Sequence, residues 1–266
     1  MTLRARITRY LRMVAKQLWL GWRAWRSYRA SFLLGIIGDL AWLLFTIVFF
    51  SSIYSHAGDI GGWPWADVLM LIGTAHIVNG LYTALFESNI RRLSAGVKNG
   101  SLDRWLTYPA DVQLLLTFGR INLRGFLTAL LGAGITLYAL SPVVSQPRLE
   151  AVAIYALLLV GAVIVRLAAA FLIETLAFFL VNVEILRALQ NEFYGYATYP
   201  AAVYPNWVWK LAFTVLIPVL WMANIPAAAL RDPEIAVWWL FFPPLLLALS
   251  RKAFAFALRH YQSAGG

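Results

Sequence analysis

Residues 32–54 read Phe32-Leu-Leu-Gly-Ile-Ile-Gly-Asp39-Leu-Ala-Trp-Leu-Leu-Phe-Thr-Ile-Val-Phe-Phe-Ser-Ser-Ile-Tyr54, and Asp39 is their sole charge. A helix crossing a hydrocarbon core about 30 Å thick needs about 20 mostly apolar residues, and this run is long enough. It therefore predicts a membrane span, and the rest of the chain repeats the pattern. Similar runs cover about 68–86, 112–140, 151–181, 207–225 and 237–258. Six such spans predict an all-α, polytopic membrane protein formed by one transmembrane domain over residues 1–266.

Composition agrees. Hydrophobic residues make up 61% of the 266 residues and charged residues only 13%, against roughly 25% charged in an ordinary soluble chain. So few charges could not cover the surface of a soluble enzyme, and so much apolar area excludes intrinsic disorder. The absence of cysteine excludes disulfide frameworks and thiolate metal sites.

The 22 Lys and Arg against 12 acids give a net charge of +10, which would suit a nucleic-acid partner only if spread over a water-facing surface. It is instead concentrated at one side of the spans. Arg4, Arg6, Arg9, Arg12, Lys16, Arg23, Arg26 and Arg29 precede the first span, and Arg91, Arg92, Lys98 and Arg104 lie between the second and third. Arg187 and Lys210 flank the gap between the fourth and fifth, and Arg251, Lys252 and Arg259 close the chain. The opposite loops hold only Arg148 and Arg231. Positive loops stay cytoplasmic, so both termini are expected inside a bacterial inner membrane, with lipid and not nucleic acid as the surrounding partner.

Residues 1–30 are expected to form a cytoplasmic interfacial helix. Leu3, Ile7, Tyr10, Leu11, Val14, Leu18, Trp22 and Trp25 recur at three- and four-residue steps, with the bases largely elsewhere. Such a basic amphipathic helix lies flat on an anionic leaflet. Its apolar stretch lacks the small-residue cleavage site of a signal peptide, so the first span reads as a retained anchor.

Asp39, Arg120, Arg124, Arg166 and Glu174 are charges that fall well inside the spans, away from their ends. Each costs about 2.5–3.5 kcal/mol to insert, so it defaults to a paired or functional role. At about 1.5 Å per residue, Asp39, Arg120 and Glu174 lie roughly 10–12 Å in and Arg124 roughly 18 Å in. Asp39 or Glu174 is expected to pair with Arg120 or Arg124, while Arg166, nearer mid-membrane, is the candidate for lining a polar path. Pro218, Pro226, Pro243 and Pro244 interrupt helix hydrogen bonding in the last two spans, as hinges or as static kinks.

Catalytic and nucleotide chemistry are missing. No G-x-x-x-x-G-K-[ST] loop cradles a phosphate, so energy from ATP would have to arrive through another subunit. His56, His76 and His260 are too dispersed for a metal site, and His76 reads as a hydrogen-bonded packing residue. A multi-span lipid-modifying enzyme would show an acidic or histidine cluster at the cytoplasmic face, and none is found. A non-transporting assembly scaffold is the other alternative.

Residues 87–111 are too charged for lipid. Ser88 or Asn89 can cap a short helix ending near Gly96, Asn99-Gly100 marks a turn, and Leu102, Trp105 and Leu106 form an apolar patch before Tyr108-Pro109. A short amphipathic helix between two spans has the shape of a docking element.

The string Glu87 … Gly100-Ser-Leu-Asp-Arg-Trp-Leu-Thr-Tyr-Pro109 resembles the E … G-x-L-x-x-L-L-x-x-P signature of ABC-2 type transporter permeases, and it falls between spans two and three as in that family. Phe193 … Tyr199-Pro200 … Ile217-Pro218 … Ile225-Pro226-Ala227 is similar to a branch of bacterial permeases usually encoded in pairs beside one ATPase. Trp105 and Tyr108 stand where the family more often has aliphatic or small residues. The resemblance implies the permease subunit of an ABC exporter moving an amphipathic or hydrophobic substrate, paired with a second permease, identical or paralogous. It implies ABC ATPase subunits that use ATP and Mg while this chain binds no cofactor. It further implies a coupling segment in which Glu87, Arg91, Arg92 and Leu93 face the ATPase and Gly100, Leu102, Asp103 and Pro109 shape the element. Re-entrant helices on the outer side would fall at about 225–238.

Overall fold

The computed structural model describes residues 29–108, 111–141, 148–180 and 182–261, and these are helical with no strand. The expected interfacial helix of residues 3–25 lies outside them. Four helical stretches are long and apolar enough to cross a membrane: Ala30–Ala57, Trp65–Lys98, Leu149–Phe178 and Pro233–Leu258. They coincide with the expected first, second, fourth and sixth spans.

Helix α1 (Arg29–Ala57) is the most exposed of them, with Leu33, Leu34, Trp42, Phe45 and Val48 all uncovered. A loop carrying Gly58, Gly61 and Gly62, all at positive φ, turns the chain into α2 (Trp65–Tyr82). One π turn, Thr83–Glu87, then carries α2 without a break into α3 (Ser88–Lys98). After Gly100, also at positive φ, come α4 (Leu102–Leu106), α5 (Val112–Thr117) and α6 (Leu123–Ala139). The expected third span is thus split: Asp111 caps α5 and Asn122 caps α6, with extended backbone between them.

The closest approach in the fold is between α2 and α6. A Cβ on Gly80 would lie 2.6 Å from the Gly125 carbonyl oxygen, and one on Gly125 would lie 2.6 Å from that of Gly80. Two turns away, Gly73 and Gly132 repeat the arrangement, a Cβ on Gly132 falling 2.6 Å from the Gly73 carbonyl. Spacings of seven keep both pairs on one stripe of each helix. In a membrane, where lipid is as apolar as leucine, small residues bring backbones into van der Waals contact and drive helix association.

Helix α7 (Leu149–Thr175) runs beside α2 to the end of the bundle where Lys98 lies, and α8 (Glu184–Gly195) starts there. Lys98 Nζ is 3.4 Å from the Glu184 carboxylate. At the other end of the same stretch, Ala202 packs under the Gly61 turn, where a Cβ on Gly61 would lie 2.5 Å from the Ala202 methyl. The chain from 184 to 203 therefore runs from the Lys98 end of the bundle to the Gly61 end, through α8 and two short 3₁₀ turns, Tyr196–Thr198 and Ala201–Val203.

Residues 207–225, expected as the fifth span, are not one helix. They comprise α9 (Trp207–Leu211), a π turn to Leu216, an extended break at Ile217, a 3₁₀ turn Leu220–Met222 and the start of α10 (Asn224–Ala228). Phe213 packs at a tilt against Tyr204 and Phe193, Leu216 and Pro218 reach the level of Ile173 and Leu189, and Arg231 is back at the Gly61 end on Asp67 and the Gly62 carbonyl. The segment is a hairpin that enters and leaves at one end. Hydropathy does not foresee the breaks in this segment, because 207–225 is apolar apart from Lys210, Thr214 and Asn224, whereas α8 carries Glu184, Arg187, Gln190, Asn191 and Glu192.

The last elements are α11 (Pro233–Ala236) and α12 (Phe242–Leu258). Pro243 and Pro244 occupy the first turn of α12, Pro226 the first turn of α10, and Pro218 the hairpin bend. The first three are not interruptions within helices, because a first-turn N–H has no intrahelical acceptor. Helix α12 returns to the Lys98 end, where Arg251 meets Asp111 and Phe254 packs edge-on against Phe171.

Candidate functional site

Helices α3 and α4 form a small platform at the Lys98 end. Its inner side is fixed by Asn89, which is wholly buried. The Asn89 Nδ2 donates to the Leu85 and Arg120 carbonyls at 2.8 Å each, and its Oδ1 accepts from the Arg120 N–H at 2.7 Å. One side chain thus satisfies both backbone groups of Arg120 in the extended link between α5 and α6. Leu93 and Leu102 are also wholly buried and join the main core. Leu93, expected to face the ATPase, is turned into the chain's own core and anchors the platform from inside, and Leu102 packs into the same core.

The outer side presents Arg91, Ala95, Lys98, Arg104, Leu106 and Tyr108. Glu87 is 2.5 Å from Arg91, one turn away on the same helix. Arg92 lies half-buried with its guanidinium 4.1 Å over the Trp105 ring, tying α3 to α4. Gly100 supplies the left-handed turn between them at φ +70°. Asp103 sits in the first turn of α4, where its charge suits the helix dipole. Pro109 lies outside the described residues.

Of the expected ion pairs, one forms as anticipated. Arg124 grips Asp39 with Nη2 to Oδ1 at 2.6 Å and Nε to Oδ2 at 2.9 Å, and Thr128 Oγ1 donates to Oδ2 at 2.9 Å. This pair ties α1 to α6. Glu174 does not pair with Arg120 or Arg124. It takes Arg187 of α8, Nε to Oε1 at 2.5 Å and Nη2 to Oε2 at 3.0 Å, and the same Nη2 reaches Ser94 Oγ at 3.1 Å. One triad thereby joins α7, α8 and α3. Arg187 falls in the polar stretch that hydropathy reads as the gap between two spans, so the sequence holds no sign that it meets Glu174. Arg120 keeps an exposed side chain and acts through its backbone. His76 is buried, its Nδ1 2.8 Å from the Ile72 carbonyl, as a packing histidine should be.

Arg166 is 5% exposed in the middle of α7. Its guanidinium lies between two rings, 4.5 Å from the centroids of Tyr82 and Tyr194, and donates from Nη1 to the Met222 sulfur at 3.7 Å. No carboxylate comes within salt-bridge distance among the described residues. Two desolvated cation–π contacts, worth up to about 2 kcal/mol each, offset an insertion cost of about 2.5–3.5 kcal/mol. They leave its hydrogen-bonding capacity almost unused. Arg166 borders a cavity of about 390 Å³ that also meets Trp42, His76, Asn79, Asn191, Glu192 and Thr198. The aromatic pair and the polar wall of α8 had no sequence signal beyond Arg166 itself.

No curated protein and no solved structure matches the chain. The family described as ABC-2 family transporter protein matches residues 40–265, from within α1 through the end of α12. With apolar helices long enough to span a bilayer and a match over most of its length, the chain belongs to the ABC-2 family of membrane transporter permeases.

Proposed function

We propose that this chain is the permease subunit of an ATP-driven exporter, drawing its energy from separate ATPase subunits that dock on the platform of α3 and α4. The observation that carries this reading is mechanical continuity. Helix α2 passes through a single π turn into α3, and α3 is held from inside by Asn89, Leu93 and the Ser94–Arg187–Glu174 triad. A push on the exposed Arg91 and Arg104 face cannot be absorbed by a loose linker. It moves α2, and with it Tyr82 against Arg166. The bulk of the work is done by rigid elements meeting at buried polar contacts, the arrangement that transmits a displacement without dissipating it.

In this reading the Lys98 end is cytoplasmic, following the stripe of bases, and the six crossings are α1, α2, α6, α7, the 184–203 stretch and α12. Residues 204–231 form a re-entrant hairpin from the outer side. From 184 to 203 there are 19 steps, which at about 1.5 Å each give roughly 28 Å, enough for the stretch to cross. The exposed apolar face of α1 is then free for lipid or a second permease.

Affinity purification from native membranes tests the exporter reading. A P-loop ATPase should co-purify with the wild-type chain and be lost in Arg91→Glu/Arg104→Glu, with the permease still monodisperse. Recovery of the permease without any P-loop subunit would leave the scaffold alternative standing.

A further inference from the structure

We propose that the cavity beside Arg166 binds the anionic headgroup of an amphiphile, a carboxylate or a phosphate ester, with Arg166 as its counter-ion. Calling that amphiphile the transported substrate rests on the permease reading; the binding site itself does not.

Three observations meet at this place. Arg166 is 95% buried by its 5% exposure, yet Nε has no hydrogen-bond partner, and the one hydrogen bond of the guanidinium among the described residues goes to a thioether. A thioether sulfur is a weak acceptor, so a fork of five N–H donors is held in low dielectric with its capacity unspent. The two tyrosine rings fix the plane of that fork without consuming its donors. A planar guanidinium so oriented matches two oxygens of a carboxylate or phosphate side by side.

The cavity it borders is of ligand size and of mixed character. About 390 Å³ holds a headgroup and the first part of a chain. Asn79, Asn191 and Thr198 supply neutral donors and acceptors around the charge, while Trp42, Ala75 and Met222 supply an apolar side toward α1. Two carboxylates also face the cavity, and both are accounted for. Glu87 is neutralised by Arg91 at 2.5 Å. Glu192 is exposed on α8 and makes no salt bridge with Arg166. Neither comes within salt-bridge distance of Arg166, and Glu87 acts on it only through space, so the guanidinium's donors stay unfilled until a ligand brings an anion to them.

The test uses the purified full-length permease in nanodiscs of zwitterionic phosphatidylcholine, with empty nanodiscs as the partition control. Tritiated dodecyl phosphate, dodecanoate and dodecyl glucoside are titrated, and bound probe is counted. Saturable binding of the two anionic probes at least tenfold tighter than the glucoside is the expected result, and the stronger of the two identifies the headgroup. Arg166→Gln should remove that tenfold preference, and Arg166→Lys should keep part of it. A folded Arg166→Gln that keeps the preference, or a glucoside that binds as tightly as the anions, overturns the proposal. Should Arg166→Gln fail to fold, Gly195→Leu decides. Gly195 borders the cavity and a Cβ there meets nothing within 4 Å, so a leucine has room at its rim with Arg166 intact. It should weaken anionic binding at least tenfold, and unchanged binding there refutes the site. Co-purification of the ATPase is read separately, so loss of the exporter reading and loss of the anion site give different outcomes.

Discussion

Glu174 is 2% exposed, and its carboxylate is held by two nitrogens of Arg187. Removing one member of a buried pair strands the other charge, at a cost of about 3–5 kcal/mol, whereas replacing both with apolar groups is near neutral. Glu174→Leu should therefore lower the thermal midpoint of the purified permease sharply, and Glu174→Leu/Arg187→Met should restore most of the loss. A double variant no better than the single one would mean the pair is not the unit that matters. If the pair also couples the platform to α7, the restored protein will be stable and inactive in transport, which separates its two roles. That Asp39 and Glu174 would each take a basic partner was legible from the cost of burying them. Their partners were only half legible. Asp39 and Arg124 both lie on strongly apolar helices that a hydropathy reading recognises as spans. Arg187 lies on a helix whose polarity disguised it as a loop, so Glu174 was matched to the wrong bases.

The same disguise operates at the scale of elements. Apolar runs identify helices that face lipid, and α1, α7 and α12 are legible for that reason. Helix α8 buries Gln190 and Tyr194 and turns Asn191 and Glu192 toward a polar cavity, so its residues answer to the protein interior. The stretch 207–231 shows the converse, since it is mostly apolar yet folds back on itself, with Phe213 packed on Tyr204 and on Phe193 of α8. The contact between α2 and α6 was equally hidden, because glycines spaced by seven carry no hydropathy signal. Its importance is steric. Gly80→Val places methyl groups where the Gly125 carbonyl lies 2.6 Å from the Cβ alone, and overpacking of this kind costs about 1–3 kcal/mol or more. Gly38→Val, whose Cβ meets nothing within 4 Å, is the matched control and should be silent. Denaturation in mild detergent, followed by loss of the monodisperse peak, measures both; equal midpoints for the two variants would remove the glycine stripe from the account of stability.

For the whole molecule, the two placements of the fifth crossing make opposite predictions about sidedness. If 207–225 crosses, Val203 lies in a cytoplasmic loop. With 184–203 as the crossing, Val203 sits beside the Gly61 turn on the outer side, Lys210 moves into a re-entrant hairpin, and Arg187 stays at the basic end with Lys98, Arg251 and Lys252. The positive-inside asymmetry survives this exchange, since a single lysine changes place against a stripe that includes eight bases ahead of α1. Charge counting therefore cannot choose between the two, and chemical access can. The chain contains no cysteine, so single substitutions report without a background. Val203→Cys, at a side chain 48% exposed, should react with an impermeant maleimide added to intact spheroplasts, while Leu106→Cys, 38% exposed on the α4 platform, should react only after permeabilisation. Reaction of Val203→Cys only after permeabilisation would restore 207–225 as the crossing. It would also place the Gly61 turn and the α3–α4 platform on one side, which a bundle with these two groups at opposite ends cannot accommodate.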